Sequence, residues 1–169
     1  MPTVETIDLP AESSLYARLP EATFHDAFQA ELQGAKLTPV EIAVRFLRAT
    51  PQWVETLLTI RNRAVSLFGI RDVGALGAVS GKRACDYAVG DKLSFFDILA
   101  ISETELLLGA DDSHLDVRIA VLKRHADGRP TWALCSWVKT HNALGRLYMI
   151  PVGPMHRLIV KTAMRGLVV

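Results

Sequence analysis

Two hydrophobic periodicities divide the chain near residue 93. Over residues 38–68 apolar residues recur three or four positions apart, which predicts helices. From residue 93 to residue 150 apolar and polar residues alternate, which predicts successive β-strands with short polar turns between them. A last apolar stripe, beginning after Gly153 with Pro154 at the first helical position, predicts a C-terminal helix.

The two predicted N-terminal helices meet at a proline corner. Thr38 and Glu41 have the spacing of a capping box, so the first helix should begin there and end near Thr50. The second helix should begin directly afterwards and end at Gly69 as its C-cap. Residues 70–92 are rich in glycine and are predicted to form a loop.

The strand predictions give one antiparallel meander. An alternating segment within residues 23–32 also suits a strand, ahead of the helix pair. The remaining predicted strands cover residues 93–101, 105–109, 114–124, 131–141 and 144–150. Because the loops between them are short, successive strands should pair antiparallel.

This order of elements predicts an α+β fold of the helix-grip type. A curved antiparallel sheet would wrap around the C-terminal helix, with a two-helix unit after the first strand. Curvature leaves a cavity between sheet and helix, which is the usual place for a ligand. We expect Leu57 and Leu158 to be buried where their helices cover the sheet. Residues 1–20 are predicted to form an extended N-terminal arm, and residues 21–169 a single domain.

Composition and charge narrow the class of protein. Half of the 169 residues are apolar, and 19 Lys and Arg balance 18 Asp and Glu, which gives no support to nucleic-acid binding. We find no secretory signal, no apolar run long enough for a membrane span, and only two cysteines, so we expect a cytoplasmic protein. The near-neutral charge and high apolar content favour self-association as a homodimer.

The densest polar constellation begins the strand predicted over residues 114–124. His114, Asp116 and Arg118 should share one face of that strand because side chains alternate. If the face lines the cavity, Arg118 could hold a carboxylate and Asp116 could orient His114. If the face is exposed to solvent, the three residues form a row of ion pairs on the sheet surface; alternatively, Asp116 and Arg118 pair with groups on neighbouring strands. We favour these structural roles over a ligand role. Because this face is polar at its start and apolar at its end, we expect Arg118 to lie in the cavity or in a buried polar cluster, with a carboxylate within reach.

Two further residues are candidates for the cavity. Arg61 lies among the apolar positions of its helix and needs a partner such as Asp26, Asp97 or Asp116; we favour a structural pair over a ligand anchor. Trp137 is a candidate for the cavity wall. It lies an odd number of positions from the other tryptophan of its strand, so at most one of the two faces the cavity.

No metal or cofactor is predicted. His114 and Asp116 could both approach one ion, but no spacing in the chain is typical of a metal site. The glycines of residues 74–81 follow a helix and lack the spacing of a dinucleotide-binding loop. They are better explained as a loop near the cavity mouth.

Nucleophilic catalysis also lacks a sequence signature. Cys135 and Ser136 lie in a strand between two tryptophans and are expected to be packed. His156 and Arg157 fall in the predicted first turn of the last helix, where cations are unfavourable unless an anion or a carboxylate is near. Surface exposure explains their position equally well.

Four short motifs resemble the bacterial family named domain of unknown function 2867. The motifs are Asp26-Ala27-Phe28, Pro51-Gln52-Trp53-Val54 running into residues 58–62, the segment from Gly109 to Arg118, and Pro154-Met155-His156-Arg157-Leu158-Ile159-Val160. The resemblance implies a START-like, helix-grip fold similar to the pollen-allergen type. It also implies that related domains occur fused behind nicotinamide-dinucleotide-binding domains. It implies no activity and no catalytic residues.

The sequence therefore predicts a small-molecule-binding module. An amphipathic or anionic ligand would lie in the cavity between the sheet and the C-terminal helix. The candidate ligand-binding residues are His114, Asp116, Arg118, Arg61, Asp97 and Trp137. One alternative is an enzyme that uses the same pocket, with His114 and Asp116 as an acid–base pair. Another is an interaction domain that partners a dinucleotide-dependent oxidoreductase.

Overall fold

The computed structural model describes residues 3–32, 36–66, 79 and 81–167. Its elements, in chain order, are β1 (Val4–Thr6), β2 (Phe24–Glu31), α1 (Pro39–Arg48), α2 (Gln52–Ser66), β3 (Lys92–Leu93), β4 (Phe96–Ile101), β5 (Glu105–Asp111), β6 (Leu115–Ala126), β7 (Arg129–Thr140) and α3 (Ala143–Gly166). Two short 3-10 helices, Tyr16–Glu21 and Ala84–Asp86, complete the described elements.

The seven strands form one antiparallel sheet in the order β1-β2-β7-β6-β5-β4-β3. Strands β3 to β7 pair in sequence order, which confirms the predicted antiparallel meander, except that the strand predicted over residues 93–101 is divided into β3 and β4 by a turn at residues 94–95. Strand β2 joins the far side of β7, with Asp26 opposite Ser136. The curved sheet, the helix pair after β2 and the C-terminal helix confirm the helix-grip fold.

The start of α1 is set by local chemistry, as predicted. The Thr38 hydroxyl accepts a hydrogen bond from the Glu41 backbone N–H at 3.2 Å, and the Glu41 carboxylate accepts one from the Thr38 backbone N–H at 2.7 Å. The second helix begins at Gln52, one residue after the proline corner. The predicted C-cap at Gly69 and most of the predicted glycine-rich loop lie outside the described residues.

The strand predicted over residues 144–150 is wrong, because this segment is the first part of α3. The Asn142 side chain caps the helix by accepting a hydrogen bond from the Gly145 backbone N–H at 2.9 Å. Pro151 and Pro154 therefore lie inside the helix, where each removes a backbone donor. Both prolines lie on the exposed side, so the carbonyl groups that lose this partner can be hydrated.

Both faces of the sheet are covered. On one, hereafter the helix face, α1 and the C-terminal half of α3 pack over a core that includes Phe28, Leu106, Trp132, Val160 and Met164. The opposite face, hereafter the arm face, is covered by residues of the N-terminal segment. Its core contains Leu9, Leu15, Ala27, Ala120, Leu122, Ala133, Cys135 and Trp137.

The N-terminal segment is fixed to the arm face by specific hydrogen bonds. Its strand β1 pairs with β2 and extends the sheet. The Ser13 hydroxyl donates to the Glu105 carboxylate at 2.8 Å, and the Trp137 indole N–H donates to the Arg18 carbonyl at 2.8 Å. The segment predicted as an extended arm thus contains a strand and a 3-10 helix.

The buried side of α3 differs from the one that was predicted. Leu158 is 58% exposed, whereas Val160, Ala163 and Met164 are buried. The helix carries apolar residues on two sides, so periodicity alone does not tell which side packs on the sheet. Leu57 of α2 is half-buried.

Candidate functional site

A cavity of about 270 Å³ lies between the helix face of the sheet and helices α2 and α3. Its apolar lining includes Phe24, Phe96, Leu115, Val117, Ile119 and Val138, and its polar lining includes Arg61, Asp97, His114, Ser136, Tyr148 and His156. The cavity is therefore apolar along the strands and polar at separate points on the sheet and the helices.

Strand alternation decides which side chains reach the cavity. On β6 the residues that line it are the odd-numbered ones, such as Val117 and Ile119, because they point to the helix face. On β7 the even-numbered Ser136 and Val138 do so. Helix α3 contributes His156, among other residues of its inward side.

The structure brings only half of the predicted site residues to the cavity. Arg61, Asp97 and His114 line it, whereas Asp116, Arg118 and Trp137 do not. The reason is parity: Asp116 and Arg118 share their face with Ala120 and Leu122, which belong to the core of the arm face. Trp137 belongs to the same core.

Arg118 does not line the cavity, but its carboxylate partner Asp111 does. Its guanidinium forms an ion pair with Asp111 and donates to the Val117 carbonyl at 2.8 Å. The Arg118 side chain is mostly buried while Asp111 is exposed, so the pair holds the end of β5 to β6. Arg118 therefore pairs with a group on the neighbouring strand β5 and not with His114 or Asp116.

His114 and Asp116 have separate partners. His114 lies just before β6 begins, and the Asn142 amide donates to its Nδ1 at 3.1 Å. Asp116 lies 3.0 Å from His141 Nε2. His114 therefore contacts the N-cap residue of α3, and Asp116 contacts His141 at the end of β7, so each member of the predicted acid–base pair has a partner of its own.

Arg61 joins α2 to α3. Its Nε donates to the Tyr148 hydroxyl at 3.0 Å, its guanidinium carbon lies 5.4 Å from the centre of the same ring, and its Nη1 donates to Asn62 Oδ1 at 2.8 Å. Asp97, another cavity residue, accepts from Lys92 Nζ at 2.7 Å. Arg61 and Tyr148 therefore form one polar point of the cavity wall.

A second polar point joins β2, β7 and α3, and we call it the Asp26 cluster: Asp26, Ser136, His156 and Arg157. The Ser136 hydroxyl lies 2.9 Å from His156 Nε2, and the same nitrogen lies 3.5 Å from Asp26 Oδ1. Arg157 Nε lies 3.8 Å from Asp26 Oδ2. Ser136 and His156 face the cavity, with Asp26 next to them.

Asp26 is the least satisfied group of this cluster. Its side chain is only 4% exposed, and within the described part of the chain neither carboxylate oxygen accepts a hydrogen bond. A buried carboxylate is costly unless it is both paired and hydrogen-bonded. Arg157 supplies a positive charge 3.8 Å away and the His156 ring lies 3.5 Å away, but neither satisfies the hydrogen-bonding capacity of the carboxylate.

The comparison with protein families decides the membership of the chain. Residues 18–163 match the family described as "Protein of unknown function (DUF2867)". The chain belongs to this family. The match confirms the resemblance seen in the four motifs, while the START-like relationship stays a prediction. No curated protein and no solved structure matches the chain.

The sequence does not predict that the four residues of the Asp26 cluster lie together. They lie on three elements, and only the pairing of β2 with β7 brings Asp26 opposite Ser136. One signal was present in the sequence. Asp26 alternates with Phe24 and Phe28, so it is a carboxylate on the apolar face of a strand.

The geometry of the cluster suits hydrogen bonding and proton exchange. In a serine–histidine–aspartate triad the hydroxyl and the carboxylate contact opposite ring nitrogens. Here Ser136 and Asp26 both approach Nε2 of His156, so Asp26 does not orient the ring for attack by Ser136. The cluster can instead hold a polar ligand group or transfer a proton to one.

A metal site and nucleophilic chemistry at Cys135 both lack support in the described residues. They contain no group of three or more His, Cys, Asp or Glu side chains that could hold a metal ion. Burial raises the pKa of Cys135, on the arm face, to about 12, so its thiol stays protonated. No described helix has the length and apolar character that a membrane span requires.

Proposed function

We propose that the protein binds a small amphipathic molecule between the sheet and α3, with the polar end of the ligand at Ser136 and His156. The observation that carries this proposal is an apolar cavity with the incompletely hydrogen-bonded Asp26 cluster at one point of its wall. Such a combination of apolar walls and few convergent polar groups is typical of ligand sites.

The apolar part of the ligand would lie along the strands. Phe24, Val117, Ile119 and Val138 offer it a continuous surface, and burial there would supply most of the binding energy. A cavity of about 270 Å³ lies near the lower end of the usual range of roughly 300–1,000 Å³. The size therefore favours a ligand smaller than a typical drug molecule.

The polar end of the ligand should be neutral and able to donate a hydrogen bond. The Ser136 hydroxyl can donate or accept, whereas the Asp26 carboxylate only accepts. A ligand carboxylate beside Asp26 would add a like charge, which is unfavourable in a desolvated site. A hydroxyl or an un-ionised acid fits better. Of the amphipathic or anionic ligands expected from the sequence, the site therefore favours amphipathic ones with a neutral polar end.

Native mass spectrometry of the purified protein tests the proposal. We expect a bound small molecule that is released on denaturation, and fluorescence should report binding of 2-naphthol, an apolar ring system with one hydroxyl. Val117→Phe places a larger side chain against the apolar surface of the cavity and should weaken both signals strongly. Val89→Phe, at a position 61% exposed, is the matched control and should retain them. A folded wild-type protein with neither signal would refute the proposal.

The enzyme hypothesis also has a specific observation in its favour. His156 Nε2 lies between the Ser136 hydroxyl and the Asp26 carboxylate, so His156 and Asp26 replace His114 and Asp116 as the candidate acid–base pair. Once the bound molecule is known, its conversion should be lost in His156→Gln while its binding persists. The alternative of an interaction domain for an oxidoreductase stays a prediction.

A further inference from the structure

Helix α3 exposes a continuous apolar stripe on the side turned away from the sheet. Its members recur three or four positions apart: Leu147, Ile150, Pro151, Pro154, Met155 and Leu158. Leu147, Ile150 and Leu158 are 64%, 70% and 58% exposed, and Met155 is 40% exposed. This spacing places all six on one face of the helix.

The stripe is separate from the surface by which α3 packs on the sheet. The buried residues of α3 include Gly153, Val160 and Ala163, which lie on the opposite side. Single exposed apolar residues are ordinary, but a contiguous row of them indicates an interaction surface.

The charges on α3 indicate what kind of surface would cover the stripe. Over residues 143–166 the helix has three arginines and one lysine, and it has no aspartate or glutamate. Arg146 and Arg157 are exposed along one edge of the stripe, and Arg165 is exposed beyond its C-terminal end. The complementary surface is therefore apolar next to an array of negative charge.

We propose that α3 docks on an anionic membrane surface. The stripe would enter the boundary between headgroups and acyl chains, with the helix parallel to the membrane, and the arginines would contact lipid phosphates. A second copy of the chain fits less well. A two-fold symmetric contact through this face would bring two helices with arginines and without carboxylates against each other.

Vesicle co-sedimentation tests this docking. Full-length protein should bind vesicles of phosphatidylcholine and phosphatidylglycerol about tenfold more strongly than vesicles of phosphatidylcholine alone, because each basic residue near an anionic surface adds to binding. Molar salt should reduce the difference, since it screens exposed charges. Equal binding to both vesicle types, or binding to neither, would overturn the proposal.

Substitutions then assign the binding to the stripe. Ile150→Ser/Leu158→Ser should weaken binding about tenfold or more, because two apolar side chains leave the boundary region. The control Val89→Ser/Leu99→Ser changes two exposed residues outside α3 and should bind as wild type. Arg146→Gln/Arg165→Gln should remove the preference for anionic vesicles while a melting curve confirms the fold.

The oligomeric state distinguishes docking on a membrane from docking of a second copy of the chain. Analytical ultracentrifugation without lipid should show a monomer. A stable dimer that Ile150→Ser/Leu158→Ser dissociates would assign the stripe to a second copy and overturn membrane docking. Because His156 and Tyr148 line the cavity from the inward side of α3, the stripe variants should leave 2-naphthol binding unchanged.

Discussion

The two faces of the sheet use the same strands and are closed in different ways. On the arm face the N-terminal segment follows the sheet closely, and its backbone accepts the hydrogen bond of Trp137 while Ser13 supplies one to Glu105. On the helix face α1 and the C-terminal half of α3 form a dense core, but a cavity remains beneath α2 and the first half of α3. There Asp26 keeps unused hydrogen-bonding capacity.

The difference shows that the element covering a sheet face determines whether the polar groups of that face are satisfied within the protein or left available to a ligand. An irregular segment can adjust its backbone to each polar group, whereas a helix has its backbone groups already paired and offers only side chains. Trp137 and Ser136 are neighbours in β7, yet one belongs to a closed core and the other to a cavity wall. Chemistry with a ligand is therefore expected on the helix face.

The largest expected contrast between the faces is in thiol reactivity. Cys135 is buried on the arm face, and burial raises the pKa of its thiol from 9.0 to about 12, which lowers its thiolate fraction about a thousandfold. Cys85 is exposed. Treatment with iodoacetamide at pH 8 should add one label to the native protein and two after denaturation, as measured by mass spectrometry.

The variant Cys85→Ser is the control for this experiment. Its native form should take up no label, and its denatured form one. Rapid labelling of Cys135 in the native variant would mean that the arm face opens, and the contrast between the two faces would fail.

The next largest effect should come from truncating side chains on either side of β7. Trp137→Ala removes a buried ring and leaves the Arg18 carbonyl without its donor, so it should lower the free energy of unfolding by about 3–5 kcal/mol. Val138→Ala, next to the existing cavity, should cost only about 1 kcal/mol because fewer packing contacts are lost. Urea denaturation measures both, and equal losses would contradict the comparison.

How far the sequence predicts this fold depends on how local the deciding interaction is. The start of α1 is predicted to the residue because Thr38 and Glu41 satisfy each other within one turn. The strands of the meander follow from alternation and short turns. Residues 144–150 form a helix, although alternation predicts a strand there and Pro154 predicts a later helix start; the helix tolerates Pro151 and Pro154 because both lie on its solvent-facing side.

The candidate site is less predictable because it depends on facts that no local pattern contains. Alternation placed Asp116 and Arg118 together correctly, but it does not tell which face of the strand the helices cover. The Asp26 cluster requires the register between β2 and β7, which joins residues more than a hundred positions apart. The one local indication of the cluster in the sequence is that Asp26 alternates with Phe24 and Phe28.

Substitutions in the Asp26 cluster should change the free energy of unfolding by smaller amounts, and Asp26→Asn and His156→Ala should change it in opposite directions. Asp26→Asn replaces a buried carboxylate without hydrogen bonds by a neutral amide, so it should raise the free energy of unfolding by about 1 kcal/mol. His156→Ala removes a polar group that lies 3.5 Å from the buried Asp26 carboxylate and should lower the free energy of unfolding by about 1–3 kcal/mol. Thermal and urea denaturation at pH 7 measure both changes.

The double variant Asp26→Asn/His156→Ala sharpens this test. With the carboxylate neutralised, the loss of His156 should cost much less than it does alone, so the two effects should not be additive. Additive effects, or a loss of stability in Asp26→Asn, would mean that Asp26 is fully satisfied, and the helix face would then be as complete as the arm face.

The smallest effect on the free energy of unfolding should come from a substitution in the capping box of α1, which packs on the helix face. The hydrogen bond from the Thr38 backbone N–H lowers the pKa of Glu41 below its ordinary value of 4.5. The folded state therefore favours the carboxylate, and this stabilisation is present above pH 4.5 and lost as the pH falls through the lowered pKa. Glu41→Gln should cost about 0.5–1 kcal/mol at pH 7 and progressively less in acid. Urea denaturation across this pH range measures the trend, and a cost of Glu41→Gln that grows in acid would contradict the sign derived for the cap.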